Sequence, residues 1–380
     1  MIKKLFFVFL SFFSIGFANA EWETIISHSE NQKCADGTPY EFSYKKGNDN
    51  LLIFFNGGGA CWDFHSCNSI KKGKYPINTY EESAMLPYNK PTYWQGMLDL
   101  NNPNNFSKDW TILNLPYCTA DLFIGNKKTT YSFKGEKVKV FHYGKNNIDY
   151  AIDWVKKNDN RTFNNKLIIG SSSGGYGAIL NFEYIHQKIK SKNTFVFFDA
   201  ADGVVSKYFE KQIFSKKDNW GYKEKGKHIN NYLIKKYNSI ISNNKDIIFG
   251  SYTTSSDIMQ ILFLNIMNNH HRNWLNISDK SIKEWKQKSK INQLLLLKNN
   301  NYFLYMDNDC IHSGLRYNDS FYSSNNKLIP LSNWFNDFIS KNTYSIGLDF
   351  LFKEYNFDEK ERNRCIFRAV NSVQRDSYEK

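Results

Sequence analysis

The stretch Lys166-Leu-Ile-Ile-Gly-Ser-Ser-Ser-Gly-Gly-Tyr-Gly-Ala178 decides how the rest of the sequence is interpreted. Its apolar run at 167–169 ends in glycines and serines, and further apolar residues follow from Ala178 onward. This pattern predicts a buried strand that turns sharply into a helix. Ser172 lies at the centre of a G-x-S-x-G match, as in a nucleophile elbow, where the serine hydroxyl is exposed and flanking glycines avoid clashes. The pattern favours Ser172 as a nucleophile, and an ordinary serine- and glycine-rich turn is the alternative.

A second glycine-rich segment follows an earlier strand. The continuous apolar run 51–55 is typical of a strand buried on both faces of a parallel sheet, and it leads into Asn56-Gly-Gly-Gly-Ala-Cys61. A phosphate-binding loop would have a GK[ST] ending or G-x-G-x-x-G spacing, and neither is present. A glycine-rich turn after an early strand, upstream of the elbow, instead favours an oxyanion loop over a plain loop.

The remaining pattern predicts an α/β fold. Strands alternate with amphipathic helices, and residues 76–108 are expected to be irregular. We therefore expect a mostly parallel sheet flanked by helices, in a single domain from residue 21 onward. Lid-like insertions are expected at about 205–250 and 270–295. The further strands are predicted at 40–44 (resembling an edge strand), 110–116, 194–198 and 301–306, and helices at 147–156 and 332–339.

The first twenty residues have the features of a signal peptide. Lys3 and Lys4 precede an apolar run at 5–17, and Ala18-Asn-Ala20 fits a small-x-small cleavage site. No later stretch is long and apolar enough for a membrane span. We therefore expect a secreted or periplasmic monomer without a stable membrane anchor.

The chain is basic, with a formal net charge of +13, or about +11 without Lys3 and Lys4. Such a charge attracts polyanions such as uronic-acid polymers. Alternatively, the charge has no binding role and reflects only the abundance of lysine along the whole chain, and this interpretation is favoured. Because the protein is expected to be exported, nucleic acid is not expected as a partner.

Six cysteines follow the leader, and in an exported protein they are expected to form disulfides. A metal site at Cys61, His65 and Cys67 is the alternative, but it lacks a fourth ligand. We expect neither a metal nor a cofactor.

A serine nucleophile needs a base, and the base needs a carboxylate that fixes its tautomer. His312 follows a late strand in a loop that ends in glycine, where this architecture places its base. Asp257 opens an apolar helix, and a helix cap is its alternative role. The competing residues are His186, His228, His270 and His271 for the base, and Asp199, Asp202, Asp307 and Asp309 for the acid, none of which the order along the chain excludes.

The ordered set of motifs resembles the pectin acetylesterase and Notum family of α/β-hydrolases. The matching segments are Asn56-Gly-Gly-Gly-Ala-Cys61, Pro116-Tyr-Cys-Thr-Ala-Asp121, Gly170-Ser-Ser-Ser-Gly-Gly175, Asp199-Ala-Ala-Asp-Gly203, Asp257-Ile-Met-Gln260 and His312. The resemblance implies Ser172 as nucleophile, Asp257 as acid and His312 as base, with backbone N–H groups of Gly58, Gly59 and Ser173 as oxyanion donors. It also implies the disulfides Cys34–Cys118 and Cys61–Cys67, which leaves Cys310 and Cys365 as the third pair.

The expected activity is that of a serine carboxylesterase that removes acyl groups, above all O-acetyl groups, from a polysaccharide. Two alternatives stay open. One is a Notum-like deacylase of longer acyl esters on a lipid or a lipidated protein. The other is a non-catalytic glycan-binding protein on the same scaffold.

Overall fold

An eight-stranded sheet forms the centre of the protein in the computed structural model. The structure describes residues 22–68, 95–224, 230–269, 277–323, 328–353 and 358–367, so the predicted leader at 1–20 lies outside the described residues. The strands of the sheet are β1 (Trp22–Ile26), β2 (Glu41–Lys45), β3 (Asn48–Phe55), β4 (Trp110–Leu115), β7 (Phe163–Ser171), β8 (Ser191–Asp199), β9 (Ile248–Thr254) and β10 (Tyr302–Asp307). A separate two-stranded hairpin consists of β5 (Lys127–Phe133) and β6 (Glu136–His142).

The sheet is mostly parallel. Its strand order is β1-β2-β4-β3-β7-β8-β9-β10, and only the β1–β2 and β2–β4 pairs are antiparallel. From β3 the chain proceeds to β4 on one side, whereas β7 and the later strands lie on the other. The carboxyl ends of β3 and β7 therefore meet where the strand order reverses, which is where open α/β sheets bind their ligands. The glycine-rich segment and the Ser172 turn follow these two strands.

Helices cover the sheet, as the alternation of patterns predicts. The last five residues of β3 are buried and pack on both faces, which explains their continuous apolar sequence. All six residues of β4 are also buried. The helices are α1 (Phe64–Asn68), α2 (Gly144–Asn158), α3 (Ser173–Lys188), α4 (Lys207–Ile213), α5 (Tyr232–Asn243), α6 (Ile258–Asn269), α7 (Asp279–Leu296), α8 (Asn318–Tyr322) and α9 (Leu331–Ile339). The α/β prediction of a mostly parallel sheet flanked by helices is confirmed.

One strand prediction was wrong in its position. Residues 40–44 were expected at an edge, but β2 lies between β1 and β4 and is buried at its three central residues. The edge is formed by β1, whose mainly exposed sequence, Trp-Glu-Thr-Ile-Ile, was not recognised as a strand. The pairing of β1 along β2 explains why β2 is interior, since it covers the backbone groups that an edge strand would leave open.

The predicted insertions contain helices that pack on the sheet layers. In the insertion at 205–250, α5 contacts α3, and in the insertion at 270–295, α7 contacts both α5 and α6. A lid role for these regions stays a prediction. The structure contains the disulfides Cys34–Cys118, Cys61–Cys67 and Cys310–Cys365. Within the described ranges, no helix combines the length and the apolar character that a membrane crossing requires.

Candidate active site

The turn between β7 and α3 holds Ser172 in a backbone conformation that side-chain-bearing residues rarely adopt. Its φ is 56° and its ψ is −123°. A Cβ at Gly174 would lie 2.0 Å from the carbonyl oxygen of Phe55, and one at Gly170 would lie 2.2 Å from the carbonyl oxygen of Gly174. Only glycine therefore lets β3, β7 and α3 approach this closely. The geometry is that of a nucleophile elbow, with a half-buried Ser172 side chain.

His312 and Asp257 are hydrogen-bonded to each other. The Nδ1 atom of His312 lies 2.9 Å from each carboxylate oxygen of Asp257. The Asp257 side chain is fully buried, whereas the His312 side chain keeps 19% of its surface exposed. Because an ionised carboxylate only accepts, Nδ1 carries the proton and Nε2 is left to accept from another group. This is the orientation that a general base requires.

The loop that carries His312 is attached to the Ser172 turn. In this His312 loop (residues 308–316), the Ser313 hydroxyl accepts a hydrogen bond of 2.7 Å from the Ser171 hydroxyl. Ser171 immediately precedes Ser172, and Ser313 immediately follows His312. The predicted nucleophile and the predicted base are therefore each one residue from this bonded pair. Because consecutive Cα atoms are only about 3.8 Å apart, the backbones of Ser172 and His312 are held near each other.

Gln260 orients Asp257. The Gln260 backbone N–H donates to Oδ1 of Asp257 at 3.0 Å, and its side-chain amide nitrogen donates to Oδ2 at 2.9 Å. The backbone N–H of Asp202 donates to Oε1 of Gln260 at 3.1 Å, which fixes which end of the amide faces Asp257. Asp257 thus caps α6 and also contacts His312, so its capping position is compatible with the role of acid, which stays a prediction.

The charges around His312 favour its protonated form. Burial by itself lowers the pKa of the imidazole, but attraction to Asp257, the hydrogen bond with Asp257 and the charge of Asp199 raise it above its ordinary value. Arg316 opposes this rise. The surroundings therefore stabilise the imidazolium that forms when a histidine removes the proton of a serine.

Several backbone N–H groups border the Ser172 turn. A Cβ at Gly57 would lie 2.9 Å from the carbonyl oxygen of Ser171, so the glycine-rich segment runs against the elbow. In this segment the N–H groups of Asn56 and Cys61 donate to other parts of the backbone. Among the described residues, no such bond is recorded for the N–H groups of Gly58, Gly59 or Ser173. These groups suit an oxyanion hole, and that role stays a prediction.

The other acid and base candidates make different contacts. Nδ1 of His186 lies 3.3 Å from the Thr194 hydroxyl, and its ring stacks on Phe182. His228, His270 and His271 lie outside the described residues. Asp309 accepts from the backbone N–H of Cys310, and Asp307 accepts from that of Asn308.

Asp199 and Asp202 are both buried, and neither forms the bond to His312 that Asp257 forms. The sequence did not identify Gln260, Ser171 or Ser313 as contributors individually, because their partners are distant along the chain. The Asp-x-x-Gln spacing of residues 257–260 was the one available signal for Gln260.

The donor atoms near Cys61 and Cys67 do not fit the alternative of a metal site. The structure brings the sulfurs of Cys61 and Cys67 close to a ring nitrogen of His142 rather than of His65. Both sulfurs belong to one disulfide, so no thiolate is available as a ligand. His142 contacts the Tyr131 hydroxyl and the carbonyl oxygen of Thr119, and burial lowers its pKa to about 3. His142 is thus a neutral, hydrogen-bonded residue of the interior.

A family model described as Pectinacetylesterase matches residues 19–289, which is most of the chain. The chain belongs to the pectinacetylesterase family. The planarian (Schmidtea mediterranea) palmitoleoyl-protein carboxylesterase NOTUM is 26% identical over 174 residues, covering 43% of this chain and 30% of that protein. Pectin acetylesterase 7 of Arabidopsis thaliana is 26% identical over 155 residues, covering 39% of this chain and 36% of that protein. The matches thus span about a third of the length of these curated relatives.

The fold of this family member is also found in a solved structure. The Wnt deacylase Notum from Drosophila superimposes with a TM-score of 0.62 at 13% identity, covering 85% of this chain and 97% of the Notum chain. At this identity the likeness concerns the fold alone. It agrees with the mostly parallel, helix-flanked sheet described above.

Proposed function

We propose that the protein is a serine carboxylesterase in which Ser172 is the nucleophile, His312 the base and Asp257 the acid. The observation that carries the proposal is the His312–Asp257 hydrogen bond in a loop bonded to the Ser172 turn. A serine in a strained turn and an oriented imidazole are the two groups that acyl transfer through a serine requires. Membership of the pectinacetylesterase family supports the same reaction.

In the proposed reaction, Oγ of Ser172 attacks the ester carbonyl carbon while Nε2 of His312 takes the hydroxyl proton. The N–H groups of Gly58, Gly59 and Ser173 hold the negative oxygen of the tetrahedral intermediate. The imidazolium then gives its proton to the leaving alkoxide, which departs as an alcohol and leaves an acyl-enzyme. Water, deprotonated by His312, attacks the acyl-enzyme. The imidazolium then returns the proton to Oγ of Ser172 as the carboxylic acid leaves.

The proposal is tested by Ser172→Ala. We expect a loss of p-nitrophenyl acetate hydrolysis of at least ~10³-fold with unchanged thermal unfolding, because only the nucleophile is removed. Ser132→Ala, at an exposed serine of the β5–β6 hairpin, is the matched control and should keep full activity. A fluorophosphonate should label the parent protein and Ser132→Ala, but not Ser172→Ala. Hydrolysis at the parent level in Ser172→Ala would refute the assignment, and an unlabelled parent protein would favour a non-catalytic glycan-binding protein.

We propose an O-acetylated polysaccharide as the substrate, on the basis of the family and the basic charge of the chain. The names of the Notum relatives support a second candidate, the removal of longer acyl chains. A series of p-nitrophenyl esters separates the two. The highest kcat/KM on the acetyl ester supports deacetylation, whereas a preference for eight or more carbons supports the second candidate.

We also propose that the protein is exported after cleavage behind Ala20. Three disulfides support this proposal, because such bonds persist in oxidising compartments. Intact mass of the protein from the periplasm or medium should correspond to a chain that begins at Glu21. A chain that keeps its first twenty residues would contradict the proposal.

A further inference from the structure

The last residue of β8, Asp199, contacts both the predicted nucleophile and the loop of the predicted base. The backbone carbonyl of Asp199 accepts from the N–H of Ser172 at 2.8 Å. The Asp199 carboxylate accepts from the Ser313 hydroxyl and from the backbone N–H groups of Gly314, at 3.0 Å, and Leu315, at 3.3 Å. One residue therefore binds the elbow through its backbone and the His312 loop through its side chain.

The Ser171–Ser313 hydrogen bond closes this arrangement. Ser171 donates to Ser313, which in turn donates to Asp199, so each hydroxyl has one assigned direction. Ser313 has a φ of 77°, a left-handed conformation that is unfavourable for a serine. Its bond to Asp199 and those of the two following N–H groups compensate for this cost. The carboxylate thus determines the path of the chain immediately after His312.

The chemistry of the donors requires Asp199 to act as an acceptor. The N–H groups of Gly314 and Leu315 cannot reverse their direction, so both carboxyl oxygens accept. Burial raises the pKa of Asp199 to about 6, although the Ser313 hydroxyl and the Gly314 N–H lower it. Asp199 is fully buried, so its charge is poorly screened from the imidazole nearby. Within the described part of the chain, the charged groups that act on His312 are Asp257, Asp199 and Arg316.

We propose that Asp199 is a positioning residue of the active site, which holds the His312 loop against the Ser172 turn and places a second negative charge near the imidazolium. This inference rests on the proposed esterase function. It assigns Asp199, one of the acid candidates of the sequence, a role distinct from that of Asp257. Asp257 binds the imidazole directly. Asp199 acts through its backbone carbonyl, which binds the Ser172 turn, and through its carboxylate, which binds the His312 loop and carries a negative charge.

The test compares Asp199→Asn with Asp121→Asn. Asp121 is also fully buried and also accepts from a hydroxyl and from backbone N–H groups, but its donors are Thr119, Phe123 and Gly144. Asp199→Asn replaces an acceptor by an amide and removes the charge. We expect kcat to fall by roughly 10–100-fold, since small displacements of a reacting group have effects of this size. KM should change little.

A pH profile of kcat/KM separates the electrostatic effect of Asp199 on His312 from a general structural effect of the substitution. Removing a negative charge lowers the pKa of His312, and the base must be neutral. The acidic limb of kcat/KM should therefore move to lower pH by roughly half to one unit in Asp199→Asn. Asp121→Asn should leave the limb in place. If Asp199→Asn does not fold, Ser313→Ala tests the positioning role, because it keeps the charge of Asp199 and removes both hydrogen bonds of the Ser313 hydroxyl, to Ser171 and to Asp199. It should lower kcat by roughly tenfold without moving the limb.

A measurement without turnover distinguishes failure of this inference from failure of the proposed function. The pH dependence of diethyl pyrocarbonate modification of His312, followed by peptide mass spectrometry, gives the pKa of the imidazole directly. This pKa should be lower in Asp199→Asn than in the parent protein and unchanged in Asp121→Asn, even if no ester is hydrolysed. An unchanged His312 titration in Asp199→Asn would overturn the role of the charge. Parent-level kcat in both Asp199→Asn and Ser313→Ala would overturn the positioning role.

Discussion

Two loops at the carboxyl end of the sheet are fixed in the same way but serve different purposes. The Asp121 loop (residues 116–126) is attached by the Cys34–Cys118 disulfide and by the buried Asp121 carboxylate. The His312 loop is attached by the Cys310–Cys365 disulfide and by the buried Asp199 carboxylate. Burial raises the pKa of both carboxyls, to about 7 for Asp121 and to about 6 for Asp199.

The difference lies in what each carboxylate binds. Two of the donors to Asp121 belong to its own loop and a third, Gly144, begins α2, so Asp121 joins a loop to a helix. The donors to Asp199 all follow His312 directly. The same combination of burial and hydrogen bonds therefore joins a loop to a helix in one place and holds the loop of the proposed base in the other. A buried carboxylate does not by itself indicate a site, and its partners must be examined.

The largest expected effect comes from Asp257→Asn, which changes the residue that binds the imidazole of the His312 loop. An amide can donate to Nδ1 and thereby stabilise the wrong tautomer, so kcat should fall by ~10⁴-fold with little loss of stability. Asp309→Asn, at another acid candidate of the same loop, should retain activity within about threefold, a range small in free energy. The assay is p-nitrophenyl acetate hydrolysis at constant folded concentration. Comparable losses in both variants would contradict the assignment of the acid.

Removing each disulfide tests whether the two loops differ in function. Double alanine variants at Cys34/Cys118 and at Cys310/Cys365 should each lose about 4–5 kcal/mol of unfolding free energy, because the stabilisation grows only with the logarithm of the loop length, and the separations are 84 and 55 residues. Denaturant unfolding measures this loss. At a temperature where both variants are folded, only the second should show a lower kcat. Equal effects on kcat would mean that the two loops support the site alike.

The smallest expected effect has the opposite sign to that of Asp199→Asn. Arg316 lowers the pKa of His312, so Arg316→Gln should move the acidic limb of kcat/KM to higher pH by about 0.2–0.5 unit, and less at high salt. Lys139→Gln removes the same charge from the exposed face of the β5–β6 hairpin and should leave the limb unchanged. A shift to lower pH in Arg316→Gln would contradict the described electrostatics.

The sequence predicted the elements whose local pattern is unambiguous. The apolar run at 51–55, the mainly apolar segment at 110–115 and the glycines at 170 and 174 directly reflect burial and close approach, so the sheet and its sharp turn could be inferred. The hairpin at 127–142 was missed because its lysines conceal the alternation of buried Thr129, Tyr131, Val138 and Val140. Strand β9 was missed because glycine, serine and threonine fill buried positions there.

The proposed site was predictable in its residues but not in its supports. The contact between His312 and Asp257 agrees with the expected roles, which depended on loop position, a capping pattern and a family resemblance. The roles of Asp199 and Asp202 could not be separated, because their partners are far away in the chain. Ser313 follows Asp199 by 114 residues, and Ser289 follows Asp202 by 87. Only the folded sheet shows which of these carboxylates faces which loop.

The backbone of Ser172 has an evolutionary consequence. A glycine at position 172 could adopt a φ of 56° and a ψ of −123° without steric cost, whereas a serine there costs on the order of 1–3 kcal/mol. Selection for thermal robustness alone would therefore favour glycine at this position. Under the proposed role of Ser172 as the nucleophile, the protein gives up this stability in exchange for a hydroxyl at the reacting position.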